Sequence, residues 1–177
     1  MLKYDLFATP RGWMGLVASE IGLVSLVMPK NDPSLVLEQI EGNFPQATST
    51  DHDILNLARQ EVLGYLKGDN VSFTIPLDLS GATTFQRKVW ETTIAIPRGE
   101  CRSYLWLAIE VGSPRASRAI GGAMGANPLP IIIPCHRVIS SGGTLGGYSG
   151  GLDTKKWLLE LEGYELKGSS VALVSNT

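Results

Sequence analysis

The sequence predicts two halves of different character, an α/β half followed by a mainly α half in which short helices alternate with strand and loop. Three observations carry this reading. Near the N-terminus apolar residues alternate with period two, between Asp51 and Lys67 they recur at helical spacing, and from Thr83 onward short helical segments are punctuated by glycine and proline. The 177 residues, 44% of them hydrophobic, are enough for one compact domain or two small ones. The boundary falls near Ser80-Gly81, which gives an α/β domain over 1–80, a second domain over 81–165 and a tail over 166–177.

In the first half, LKYDLFAT places Leu2, Tyr4, Leu6 and Ala8 on one face of a strand. Turn signals at Pro10-Arg11-Gly12 and Glu20-Ile21-Gly22 flank two further β-rich runs, GWMGLVAS and GLVSLVMP, and predict a three-strand antiparallel meander. The helix that follows carries Ile54, Leu57, Ala58, Val62 and Leu66 and stops at Gly68. A short strand, VSFTI, then leads into PLDLSG. No constellation of chemical groups stands out in this half.

In the second half, TTFQRKVWETTIAI puts Phe85, Val89, Trp90 and Ile94 on one helical face, with Thr83 or Thr84 as cap and Pro97 as stop. Tyr104 to Val111 forms a second helix ending at Gly112, and Ser113-Pro114 reads as the start of a third, RASRAIGGAMGAN. Gly121, Gly122 and Gly125 each cost a helix interior about 1 kcal/mol relative to alanine, so something must favour small side chains there. Tight helix packing is one explanation. The other is a smooth surface, built by Ala116, Ser117, Ala119, Gly121 and Ala123, that lies against a DNA groove with Arg115 and Arg118 projecting.

Charge is divided unevenly between the halves. Residues 1–81 carry five Lys/Arg against ten Asp/Glu, and residues 82–163 carry nine against six, although the whole chain sums to −2. A polyanionic partner would therefore meet the second half. Asp5, Arg11 and Glu20 interrupt the apolar N-terminus, so neither a signal peptide nor a membrane helix is expected. Two cysteines give no disulfide framework, and Cys101, Cys135, His52 and His136 have no metal-ligand spacing. An intracellular, cytoplasmic protein with reduced thiols and no metal or cofactor is expected, with His52 on the surface and Cys101 a small buried thiol.

IPCHRVI, after the apolar run Leu129 to Ile133, sets Cys135 on a core strand between Pro134 and the basic pair His136 and Arg137. A free cysteine can be a small buried hydrophobe, or a nucleophile if a base or a positive environment yields its thiolate. Side chains of neighbouring strand residues point to opposite faces, so a bridging water is expected between Cys135 and His136 rather than a direct bond.

These pieces occur in a fixed order: Phe85-Gln86, Val89-Trp90, Ile96-Pro97-Arg98-Gly99-Glu100, Ser103-Tyr104, Arg118 to Met124, Asn127-Pro128, Ile133 to Val138 and Tyr148-Ser149-Gly150-Gly151. The set resembles the O6-alkylguanine-DNA alkyltransferases, also called methylated-DNA:protein-cysteine methyltransferases, from about residue 83 to 163. The resemblance implies a ribonuclease-H-like N-terminal domain and a C-terminal winged helix-turn-helix domain. The implied activity is irreversible, single-turnover transfer of an alkyl group from O6-alkylguanine, and from O4-alkylthymine, in double-stranded DNA to Cys135.

The same resemblance implies the roles of individual residues. His136 acts through water as base, Glu162 orients it, Tyr104 serves the leaving base at N3, and Asn127 braces the site. Met124, Val138, Tyr148, Ser149 and Gly150 wall the pocket. Arg118 fills the gap left by a flipped nucleotide, beside Arg115, Ser117, Ala119 and Gly121 in the minor groove. Many relatives carry a basic residue just after the Ala-Met pair, where this chain has Gly125-Ala126. The glycine-heavy run 142–147 predicts a mobile pocket lip that accepts larger alkyl groups. A monomer is expected. Two alternatives remain, a damage-binding protein without the transfer step and a cysteine hydrolase; Cys135 in its Pro-Cys-His-Arg setting argues against the first, and the adjacency of Cys135 and His136 against the second.

Overall fold

The structure is a computed structural model that describes residues 1–168 and 170–173. Its contacts separate two compact units at Gly81. In the first, strands β1 (Lys3–Thr9), β2 (Gly12–Ala18) and β3 (Leu23–Lys30) form the expected meander, and a short β4 (Thr48–Ser49) joins β1 in parallel, giving the order β3-β2-β1-β4. Gly12 closes the first hairpin at φ 120°, where a Cβ would sit 2.4 Å from the Lys30 carbonyl oxygen, so only glycine fits.

Helix α1 (Pro33–Asn43) lies against this sheet, with Val36 and Ile40 packed on Val17 and Val27. No element was expected there, although Asp32-Pro33 is a helix start: the Asp32 carboxylate caps Ser34 N-H at 2.8 Å, and proline occupies the first turn. Helix α2 (Asp53–Leu66) is the predicted amphipathic helix, rotated slightly from expectation. It buries Leu55, Ala58, Val62, Tyr65 and Leu66 and leaves Leu57 exposed.

The strand expected at VSFTI is not formed, because Glu61 captures its donors. The Glu61 carboxylate accepts from Thr74 N-H at 2.9 Å, from the Thr74 hydroxyl at 2.5 Å and from Ile75 N-H at 3.4 Å. Pairing with β3 is limited to one parallel bridge, Leu23 with Leu77. His52 is also not a surface residue. It is the N-cap of α2, its side chain is 13% exposed, and Nε2 lies 3.8 Å from Glu20.

In the second unit, α3 (Thr84–Ile94) opens on a reciprocal capping box between Thr83 and Gln86. Helix α4 (Tyr104–Glu110) is capped by Ser103, which belongs to the two-residue strand β5 (Arg102–Ser103). Helix α5 begins later than expected, at Ser117, and runs to Gly125. Ser113-Pro114 is instead the start of a turn, closed by Ala116 N-H to the Ser113 carbonyl at 2.8 Å, with proline at the position such turns favour. The Trp90 indole N-H donates to the Ala123 carbonyl at 2.9 Å and ties α3 to α5.

The cysteine does not lie on a strand. Ile131 adopts φ 76°, which breaks the apolar run, and Cys135–Arg137 forms a single 3₁₀ turn closed by Arg137 N-H to the Pro134 carbonyl at 2.9 Å. Strand β6 (Val138–Ile139) follows and pairs in parallel with β5. Helix α6 (Leu152–Leu161) leads into an antiparallel hairpin, β7 (Tyr164–Lys167) and β8 (Ser170–Leu173). Most of the expected tail is thus hairpin, while its residues 174–177 lie outside the described residues.

Candidate active site

Parallel pairing of β5 with β6 matches Arg102 to Val138 and Ser103 to Ile139. It thereby brings Tyr104, at the start of α4, to the segment that follows the 3₁₀ turn. Between them opens a cleft of ≈ 640 Å³, lined by eight of the expected residues, Tyr104, Ser117, Arg118, Gly121, Met124, Cys135, Tyr148 and Ser149. Gly125 and Gly147, the latter in the expected lip, also line it, and Leu105, Ser140 and Ser141, which were not foreseen, complete the lining. Arg115 and Ala119 are exposed but stand outside this cleft. Val138 is fully buried, and Gly150 lies beside the Tyr148 ring, where a Cβ would approach within 2.9 Å.

Cys135 is 5% exposed. The Asn127 side chain reaches three places at once: Nδ2 donates to Cys135 Sγ at 3.0 Å and to the Ile133 carbonyl at 2.9 Å, and Oδ1 accepts from Leu129 N-H at 2.9 Å. Burial pushes the Cys135 thiol up from its ordinary value, while the hydrogen bond from Asn127, the neighbouring Tyr148 hydroxyl and the charge of Lys155 oppose the rise. Neighbours in a 3₁₀ turn diverge by about 120°, and the imidazole of His136 is fully buried in the protein interior.

There His136 Nε2 meets Glu162 Oε1 at 2.8 Å. Glu162 follows α6 directly as its C-cap and is also held by Arg137, through Nε at 3.0 and 3.2 Å and Nη2 at 2.8 Å. Arg137 Nη1 donates to the Ile96 carbonyl at 2.6 Å, so one guanidinium joins the end of α3 to the end of α6. Burial alone would raise the Glu162 pKa, but the bonds and charges of His136 and Arg137 outweigh it and hold the carboxyl well below the usual range. An ionised Glu162 can only accept, so Nε2 carries the proton and Nδ1 is the basic nitrogen. Burial, aided by the charges of Arg137 and Lys155, lowers the His136 pKa against the pull of Glu162 and favours the neutral ring.

Lys155 was also missed. It is fully buried, and Nζ donates to the carbonyls of Val138 at 2.6 Å, Leu145 at 2.5 Å and Gly147 at 3.4 Å. Burial lowers its pKa to about 8. The signal lay in helical spacing, since Lys155, Leu158 and Leu159 share one face of α6. The Tyr104 hydroxyl donates to the same Gly147 carbonyl at 3.2 Å.

The face of α5 at the cleft rim shows why this helix can be rich in glycine. A Cβ at Gly121, Gly122 or Gly125 would meet nothing within 4 Å. These glycines face outward, so helix packing does not account for them.

A buried thiol at the foot of a cleft, backed by a histidine-carboxylate pair and edged by an exposed helix with an arginine, defines a thiol-dependent protein with a surface for a large partner. Comparison with known proteins gives the particular family. Residues 84–164 match the model for the 6-O-methylguanine DNA methyltransferase DNA binding domain. The methylated-DNA–protein-cysteine methyltransferase of Mycobacterium bovis is 49% identical over 92% of this chain and 93% of its own. A crystal structure of Mycobacterium tuberculosis O6-methylguanine methyltransferase superposes with a TM-score of 0.76 at 39% identity, covering 92% of this chain and 93% of that one. A structure of the M. tuberculosis OGT protein in complex with DNA superposes at 0.75 with 36% identity, covering 90% and 92%. The chain belongs to the methylated-DNA–protein-cysteine methyltransferase family.

Proposed function

We propose that this protein repairs DNA by direct reversal, with Cys135 as the acceptor of the alkyl group from O6-alkylguanine and from O4-alkylthymine. One observation carries the reading: Sγ lies at the foot of a cleft whose rim bears Arg118 on the exposed face of α5, with the His136-Glu162 pair behind it. The glycine face lets α5 approach a minor groove closely while Arg118 fills the gap left by the flipped nucleotide. In this reading α4 and α5 are the helix-turn-helix, the short strands around them the wing, and the first unit a ribonuclease-H-like domain.

The chemistry is a displacement at carbon. His136 Nδ1 takes the Cys135 proton through a water, Sγ attacks the alkyl carbon, and the carbon–O6 bond breaks with its electron pair leaving on the base. Tyr104 turns its hydroxyl from the Gly147 carbonyl to the departing base at N3 and stabilises the charge there. Asn127 holds Sγ in line. Met124, Tyr148 and Ser149 wall the alkyl group, and the glycine-rich lip over 142–147 yields to larger adducts. Nothing regenerates the thiol, so each molecule acts once, as a monomer, with no metal or cofactor. Among the described residues no helix is long and apolar enough to cross a membrane.

The test is intact-protein mass spectrometry after mixing with one equivalent of duplex bearing a single O6-methylguanine. A gain of one methylene that maps to Cys135, and is absent from Cys135→Ser, is the expected result. Tight binding with no gain in mass would instead mark a damage-binding protein.

A further inference from the structure

The ionic groups buried around Cys135 do not balance without it. Arg137, Lys155 and Glu162 are 8%, 0% and 8% exposed, two cations against a single anion. Arg137 and Glu162 satisfy each other through three contacts of 2.8 to 3.2 Å. Lys155 has no such partner: its ammonium is held by three carbonyl oxygens and stands 5.9 Å from the rings of Tyr104 and Tyr148, and among the described residues no carboxylate pairs with it. Lysine is almost never fully buried unless paired, because an ammonium loses its hydration there.

Two thiols feel its charge. Cys101, which lies beside Tyr164, is opposed in ionising by Glu162, whereas the charge of Lys155 eases the ionisation of Cys135. The other groups facing Cys135 are Asn127, whose Nδ2 donates to Sγ, Tyr148 beside it, and Tyr104 across the cleft. His136 and Arg137 continue the same 3₁₀ turn, with Glu162 beyond them.

Taking Cys135 as the nucleophile of the proposed reaction, we propose that Lys155 is a positioning residue for alkyl transfer, supplying the counter-charge for the thiolate. The proton moves from Sγ to His136, and Lys155 neither gives nor takes one. The carbonyls of Val138, Leu145 and Gly147 fix the ammonium before the substrate arrives, so little reorganisation accompanies the appearance of negative charge on sulfur. The same three bonds tie Lys155 to the segment that lines the cleft, so one side chain serves both the lip and the sulfur.

The test follows the pH dependence of Cys135 carbamidomethylation by iodoacetamide, resolved by peptide mapping, in the full chain and in Lys155→Met and Lys155→Arg. Lys155→Met should move the midpoint upward by about 1 pH unit, the lower end of the range an opposite charge produces. Lys155→Arg should restore most of that shift. A rate lowered equally at every pH, with the midpoint unmoved, would reduce Lys155 to a loop staple and overturn the proposal. Should Lys155→Met fail to fold, the Lys155 titration is followed by NMR in wild type and Cys135→Ser. Loss of the sulfur should lower the pH at which Lys155 titrates, and coincident curves would overturn the proposal. Methyl transfer from the modified duplex to the wild type is measured alongside. Its failure would count against Cys135 as the nucleophile, whereas an unmoved midpoint with transfer intact counts against Lys155 alone.

Discussion

All the buried polar and charged side chains among the described residues, Thr93, His136, Arg137, Lys155 and Glu162, lie in the second unit. The buried core of the first unit, including Met14, Leu16, Val17, Val36, Ile40 and Leu55, is apolar apart from the hydroxyl of Tyr65. A hydrocarbon core can be repacked with graded losses, because each contact is small and non-directional. A buried ionic cluster is unforgiving, since removing one partner leaves the others uncompensated. The difference teaches where chemistry resides in this chain: the unit that carries expensive buried charge is the unit that must manage a proton and a thiolate.

That contrast can be broken most sharply at Glu162. Glu162→Gln leaves Arg137 buried without its anion and should cost about 3–5 kcal/mol of stability in chemical denaturation. The sign of its pH dependence follows from the lowered pKa. Ionised Glu162 contributes stability above its ordinary value of 4.5, and the contribution is lost as pH falls below that value. The wild type should therefore weaken steeply below about pH 4.5, and Glu162→Gln should show a flatter acid limb. In the first unit, Ile40→Ala should cost about 2–5 kcal/mol through the cavity it leaves. Its transfer rate per folded molecule should stay unchanged, and a slowed reaction would undo the division of labour between the units.

Arg118→Ala should slow repair of duplex by roughly a hundredfold, the rate equivalent of the few kcal/mol that unstacking a base costs. Reaction with free O6-benzylguanine should hardly change, and equal loss on both substrates would remove Arg118 from base flipping. The smallest effect is expected at Gly121, where a Cβ meets open space. Gly121→Ala should stabilise the protein by about 1 kcal/mol in thermal or chemical melts, while weakening duplex binding measured by anisotropy.

The sequence disclosed its elements where local rules decided them. Alternation marked the meander, a threonine cap at 83 or 84 marked the start of α3, and Pro-Cys-His-Arg singled out one cysteine of two. It misled where a distant partner decided instead. VSFTI has the composition of a strand, yet Glu61 from α2 takes its backbone donors. The apolar run before Cys135 reads as a strand too, but Asn127 and the turn at Ile131 bend it, and neither can be weighed from periodicity. Lys155 hid behind its own residue type, since a lysine in an amphipathic helix is ordinarily assigned to solvent. Asp32-Pro33 marks the start of α1 by local rules alone.

Ile131 sets a limit on how far this site could be improved by substitution. It is fully buried and stands at φ 76°, a backbone region that a β-branched residue enters only under constraint. Glycine or asparagine would relax the chain there, but neither fills the space that isoleucine occupies. No natural side chain offers both the bulk and the left-handed backbone, so position 131 is a compromise between two demands that cannot be met together.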